Sequence, residues 1–117
     1  MENPELKALI EEIRQFVKER DWEQFHTPKN LSMALAVEAA ELMEHFQWLT
    51  HEDSLAGSMH ELEAISQEIA DVFVYILRLS DVLGIDLIAS TKKKLTLNGV
   101  KYPADSVRGS AKKYSDY

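Results

Sequence analysis

Apolar side chains recur along this chain at helical spacing, and nowhere in the sustained alternation of a half-buried strand. After Asn3-Pro4, an N-cap followed by proline at the first helical position, Leu6, Leu9, Ile10, Ile13, Phe16 and Val17 repeat at steps of three and four. That pattern predicts a helix to about Arg20. Thr27-Pro28 repeats the start signal, and Leu31, Leu35, Leu42, Phe46 and Leu49 extend a second helix to about Trp48. Thr50 to Ser58 is polar, contains Asp53-Ser54 and Gly57, and reads as a loop. A third helix is predicted from about His60 to Leu83, ended by Gly84. A fourth runs from Leu87 to about Asn98, capped by Asp86 and stopped by Gly99 and Pro103. From Tyr102 onward the chain reads as an irregular tail that a partner subunit would order. The expected fold is all-α: a four-helix-bundle-type single domain over residues 1–117, with about 102–117 as tail.

The third helix is apolar nearly all round. At about 100° per residue, Leu62, Ile65, Ile69, Val72, Phe73, Ile76, Leu79 and Leu83 form one broad face. Val74 and Leu77 lie towards the opposite side. A helix with two apolar sides has to be covered on both, which a 117-residue bundle does with difficulty alone, so a homo-oligomer is expected.

Composition narrows the classes. With 45% hydrophobic and 28% charged residues the chain is globular, and no apolar run approaches the ~20 residues that cross a bilayer. The start, Met1-Glu2-Asn3-Pro4-Glu5, lacks the basic and apolar regions of a signal peptide, and there is no cysteine. A cytoplasmic protein without a membrane partner is therefore expected. The net charge of −7 argues against a nucleic-acid polymer as partner. Basic residues crowd the last quarter (Lys92, Lys93, Lys94, Lys101, Arg108, Lys112, Lys113), so an acidic face and a basic face can coexist.

The second helix carries the informative anomaly. Glu38 falls near the middle of its apolar stripe, with Glu41 on the same side three residues on. Glu68 and Asp71 repeat that spacing along the flank of the third helix. An ionised carboxylate inside a fold shifts its pKa, pairs, or binds a cation. If these two helices pack together, four carboxylates converge, and oxygen ligands without sulfur or imidazole suit Mg²⁺ or Mn²⁺. A di-iron bundle needs Glu-x-x-His on two helices. Here that spacing occurs at Glu23 and His26, beside Thr27-Pro28 in a loop. His45, one turn beyond Glu41, reads as packed or hydrogen-bonded rather than a ligand, and His26 as a cap or brace of the loop.

Glu38-x-x-Glu41 followed by Glu68-x-x-Asp71 resembles the ExxE…ExxD signature of the MazG-like all-α nucleoside triphosphate pyrophosphohydrolases. Arg20-Asp21-Trp22-Glu23-Gln24-Phe25-His26, Pro28-Lys29-Asn30-Leu31, Phe46-Gln47-Trp48, Tyr75, Gly84-Ile85-Asp86-Leu87, Lys94 with Asn98, Lys101-Tyr102-Pro103 and Ser110-Ala111-Lys112-Lys113-Tyr114 are similar to the dCTP pyrophosphatase branch. The resemblance implies Glu38, Glu41, Glu68 and Asp71 as Mg²⁺ ligands, and Lys94 and Asn98 on the phosphates or sugar with Tyr75 beside them. Trp22 and Trp48 would form the base pocket, and the oligomer would be a homodimer or homotetramer. Thr96, Gly99 and Val100 depart from that branch, where an acidic residue and basic residues are common. The activity implied is conversion of a nucleoside triphosphate, dCTP or a modified pyrimidine deoxynucleotide, to monophosphate and pyrophosphate, clearing the nucleotide pool. Glu41 would activate the attacking water, and Glu38 would be essential to turnover. The reading of another class is a non-catalytic helical interaction or dimerisation module, which would release no pyrophosphate.

Overall fold

The computed structural model describes residues 3–56 and 61–111. Among these the chain is all helical: α1 (Pro4–Glu19), a 3-10 turn (Glu23–Phe25), α2 (Pro28–Glu44), α3 (His51–Ala56), α4 (Leu62–Leu83), α5 (Leu87–Lys101) and α6 (Ala104–Val107). The expected start of the third predicted helix at His60, the Gly57-Ser58 end of the loop, and Lys112, Lys113 and Tyr114 of the tail lie outside the described residues. Contacts divide the chain into two compact units, up to Ile85 and from Asp86 onward. No helix among the described residues is long and apolar enough to cross a membrane.

The helix starts follow from local chemistry. Asn3 Oδ1 accepts the Leu6 amide at 2.9 Å, Thr27 Oγ1 that of Asn30 at 3.2 Å, and Asp86 Oδ1 that of Ala89 at 3.1 Å. Each thereby satisfies an amide that the first turn leaves open. Gly84, at φ 68°, ends α4 in the left-handed region, where Gly84 and Ile85 amides return to the Asp81 and Ser80 carbonyls. The same motif closes α1, with Asp21 (φ 54°) in place of glycine, a residue whose short polar side chain tolerates that region. The Asp21 amide donates to Lys18 O at 3.1 Å and the Trp22 amide to Val17 O at 3.1 Å.

Some boundaries differ from expectation. α2 stops at Glu44, and residues 45–49 continue as tight turns. Part of the polar segment expected as loop forms α3, started by Thr50 Oγ1 on the Asp53 amide. α5 runs through Gly99 to Lys101, because a helix tolerates a glycine at a cost of about 1 kcal/mol. A further turn, α6, forms within the stretch expected to be irregular.

In the first unit α2 and α4 pack most extensively, and α1 lies against α4. Ile10, Val17, Leu31, Ile65 and Leu77 form the core. Here the face assigned to α4 needs correction. Leu77, expected away from the core, is 0% exposed, and Val74 lines a cavity. Ile69 and Phe73, expected inside, are 53% and 41% exposed in the single chain. A helix apolar nearly all round has no single face that hydrophobicity can select, so the packing of α1 and α2 decides which side is covered. Met33 and Val37 on α2 are exposed as well.

One polar cross-link ties α1 to α4. Arg14 Nε donates to Asp81 Oδ2 at 2.7 Å, and a second guanidinium nitrogen meets Asp81 Oδ1. The Arg14 bond holds the Asp81 carboxyl below the usual carboxylate range. Asp81→Asn should therefore cost about 1–2 kcal/mol in urea unfolding at pH 7, modest because Arg14 is half exposed. The depressed pKa makes this contribution full above the unfolded value, about 3.9, and lost as pH falls further. The difference between the wild type and the variant should be widest above about pH 4 and narrow progressively as pH falls below it.

Candidate functional site

Packing of α2 on α4 brings the Glu38, Glu41 and Glu68 carboxylates together. One oxygen from each lies within 4.8 Å of the others, and all three residues are half-buried. Glu38 Oε2 and Glu68 Oε2 are fully buried and have no hydrogen-bond partner. An unsatisfied buried carboxylate oxygen costs more than the ~1–3 kcal/mol of a neutral group. Burial first, then the Glu41 carboxylate beside it, and further Asp71 and Glu68, push Glu38 up to about 7. Tyr75 is also raised, by burial and then by the negative charges of Glu38, Asp71 and Glu41. Asp71 is exposed and stands outside the close group of three, yet its charge is felt at both Glu38 and Tyr75.

Glu38 and Asp71 also line a cavity of about 400 Å³, continuous with apolar walls from α1 (Leu9, Ile13) and α4 (Val74). That volume suits a nucleoside-sized ligand. Trp22 is in its lining, held edge-on to Phe16 at 5.9 Å between ring centres. Its position follows from the α1 terminus: the Asp21 turn reverses the chain so that residue 22 folds back over the helix it has just left. Tyr75, His26 and Arg78 complete the polar part of the lining.

Other residues singled out from the sequence fall elsewhere. Trp48 is 88% exposed and outside the cavity, because α2 has ended before it and the following turns carry it off the helix. Lys94 and Asn98 lie one turn apart on α5 in the second unit, Lys94 exposed and Asn98 half-buried. Sequence reasoning passed over Arg78 and set His26 aside. Arg78 did carry a signal, being an arginine set between Leu77 and Leu79 with Asp81 three residues on.

Three carboxylates, with two buried, unpartnered oxygens among them, form a group that could hold a cation, and one of the three, Glu38, also lines the cavity. A family model described as the MazG-like family matches residues 33–117, which include all four acidic positions of the signature. The chain belongs to the MazG-like family. This MazG-like chain is 41% identical over 116 positions to dCTP pyrophosphatase 1 of Bos taurus, covering 94% of the chain and 69% of the relative. For dCTP pyrophosphatase 1 of Homo sapiens the identity is again 41% over 116 positions, with 94% and 68% covered. The crystal structure of a pyrophosphatase from Archaeoglobus fulgidus DSM 4304 superimposes with a TM-score of 0.79 at 36% identity, covering 88% of this chain and 96% of that one. The relatives extend the likeness upstream of the family match, where Trp22 and His26 lie.

The raised Glu38 carboxyl has a pH consequence. A folded pKa above the unfolded one gives stability that is full below about 4.3 and is lost as pH rises through about 7. In EDTA, the wild type should lose on the order of 1–3 kcal/mol between pH 5 and pH 8 by urea unfolding. Glu38→Gln should remove most of that dependence.

Proposed function

We propose that this MazG-like chain hydrolyses a pyrimidine deoxynucleoside triphosphate, dCTP or a modified cytosine nucleotide, to the monophosphate and pyrophosphate. Its membership of the family and its relatives' names, dCTP pyrophosphatase and pyrophosphatase, support the enzyme class. The observation that carries the reading is the pair of buried, unpartnered oxygens on Glu38 and Glu68 beside a nucleoside-sized cavity. A set made of carboxylate oxygens alone fits a hard divalent cation. Glu38, Glu41 and Glu68, with Asp71 at the cavity lining, would hold Mg²⁺, or Mn²⁺ in its place. Such an ion, when bound, offsets phosphate charge and lowers the pKa of a coordinated water.

The chain's own groups supply the rest. Glu41 orients the water and accepts its proton as the water attacks the α-phosphorus, and Glu38 fixes the geometry of the acidic group. The bond from the α-phosphorus to the bridging oxygen breaks, and pyrophosphate leaves. Lys94 and Asn98 are assigned to the phosphates and sugar, and Tyr75 to substrate binding as well. Trp22 forms the base pocket with Trp48, the latter contributed by a second copy. The exposed Met33, Val37, Ile69 and Phe73 support an apolar homodimer or homotetramer contact. Removing non-standard nucleotides from the pool is the physiological role this chemistry fits.

The test is a panel of triphosphates with Mg²⁺, separating pyrophosphate from orthophosphate. Pyrophosphate from dCTP is expected, and Glu41→Gln should lower kcat about a hundredfold or more with helicity retained. Orthophosphate as sole product would overturn the reaction. In light scattering the wild type should exceed the 13.4 kDa of one chain by a factor of two or four, and Ile69→Glu should shift it to the monomer.

A further inference from the structure

The wall that α1 gives to the cavity is made by Leu9, Ile13, Phe16 and Val17, apolar side chains at steps of three and four along one face. Glu12 lines the same cavity from the edge of that face, three residues after Leu9 and four before Phe16. It belongs to α1 itself, upstream of the Asp21 turn. Two other acids of this helix are engaged elsewhere. Glu11 pairs with Arg14 at 3.1 Å, and Glu19 accepts from Gln15 at 3.0 Å and lies 3.7 Å from Arg20. Glu12 has neither an ion pair nor a side-chain hydrogen bond among the described residues, and it is not one of the close group of three carboxylates.

The rest of the cavity decides which part of a ligand such a group can face. The anionic end of a triphosphate needs positive charge, and the carboxylates that would hold a cation for it come from α2 and α4. A carboxylate on α1 without a cation repels phosphate. It can therefore face only the neutral end of the ligand. Leu9, Ile13, Val74 and the Trp22 indole surround that part of the space, an environment for a flat heterocycle. An ionised carboxylate offers acceptors and no donor, so the group that answers it on a pyrimidine is an exocyclic amine. Cytosine carries one at C4. Uracil and thymine carry a carbonyl oxygen there, an acceptor set against an acceptor.

We propose that Glu12 is a specificity-determining residue, its carboxylate accepting from the C4 amine of cytosine and turning away the C4 carbonyl of uracil and thymine. The assignment rests on the triphosphate reading above and adds to it a reason for the choice between pyrimidines. A position built to accept a substrate N–H discriminates strongly against an analogue that lacks it.

The experiment compares kcat/KM for dCTP and dUTP with Mg²⁺. The wild type should prefer dCTP. In Glu12→Gln the amide can turn its oxygen to the amine or its nitrogen to the carbonyl, so the preference should fall about tenfold or more, chiefly through a lower KM for dUTP, with kcat for dCTP nearly unchanged. Glu12→Leu should lose the preference by the other route, a higher KM for dCTP. With pyrimidin-2-one deoxynucleoside triphosphate, which carries only hydrogen at C4, the wild type and Glu12→Leu should have the same KM within about twofold. Glu12 is exposed, so both variants should keep the wild-type helicity. Glu11→Gln, which removes the same charge one residue away, should leave the preference intact. A wild type indifferent to the C4 group, an unchanged preference in both Glu12 variants, or an equal fall in Glu11→Gln would overturn the role of Glu12 and leave the hydrolase standing. Absence of turnover of every triphosphate by the wild type would overturn the hydrolase, and the role of Glu12 with it.

Discussion

Like charges brought together inside a fold must be neutralised, and the contact between α2 and α4 does bring them together. The helices present three carboxylates to one small volume, with two oxygens that neither protein groups nor solvent reach. Nothing in the packing of Leu31, Ile65 and Leu77 calls for acid at that place. An apolar Glu38 replacement would extend the stripe on α2 and relieve the strain, so the acid reads as retained for what it can hold. The partial answer available to the chain alone is a proton on Glu38, whose carboxyl is pushed up to about 7. A divalent cation answers the conflict more fully, since it supplies positive charge to all the oxygens at once.

The remaining parts of the site depend on how segments enter and leave the helices. The α1 terminus returns Trp22 to the Phe16 ring, and Arg20 also contacts that ring, its guanidinium 3.6 Å from the Phe16 ring centre. After that turn, Asn30 Nδ2 holds the Phe25 carbonyl at 3.0 Å, fixing the 3-10 turn to the first residues of α2. His26 lies between these two restraints, close to Thr27, which caps α2. A loop held at both ends can offer a side chain to a cavity with little loss of freedom on binding. The same segment therefore connects the start of the carboxylate helix to the aromatic wall.

Much of this was legible in the residues. The Asn3-Pro4, Thr27-Pro28 and Asp86 caps act locally, and local chemistry is what a sequence states directly. Glu38 was conspicuous because it interrupts an apolar stripe, and a break in a pattern can be seen without coordinates. The covered side of α4 was not legible: Ile69 and Leu77 are both apolar, and only the placement of α1 and α2 makes one exposed and the other buried. Nor was the His26–Arg78 bond, which joins residues 52 positions apart. Spacing arguments reach one or two helical turns, so a contact of that separation lies beyond them. The short helices α3 and α6 are too brief to show a period at all.

The arrangement along α4 suggests how one helix serves both chemistry and selection. Glu68, Asp71, Tyr75 and Arg78 follow one another at steps of three or four, forming a polar line along a helix otherwise apolar. At 1.5 Å per residue, Glu68 to Arg78 spans about 15 Å, on the scale of an extended nucleotide. The end with Glu68 belongs to the acidic group, and the end with Arg78 to the neutral imidazole. Charge thus falls away along the line, from carboxylates that could hold a cation to a guanidinium balanced by Asp81 beside a neutral imidazole. A triphosphate has the same gradient, anionic at one end and a neutral base at the other. For the proposed triphosphate substrate, a reversed nucleotide would place phosphates against the apolar walls and the base against unneutralised acid, so electrostatics alone would favour one orientation.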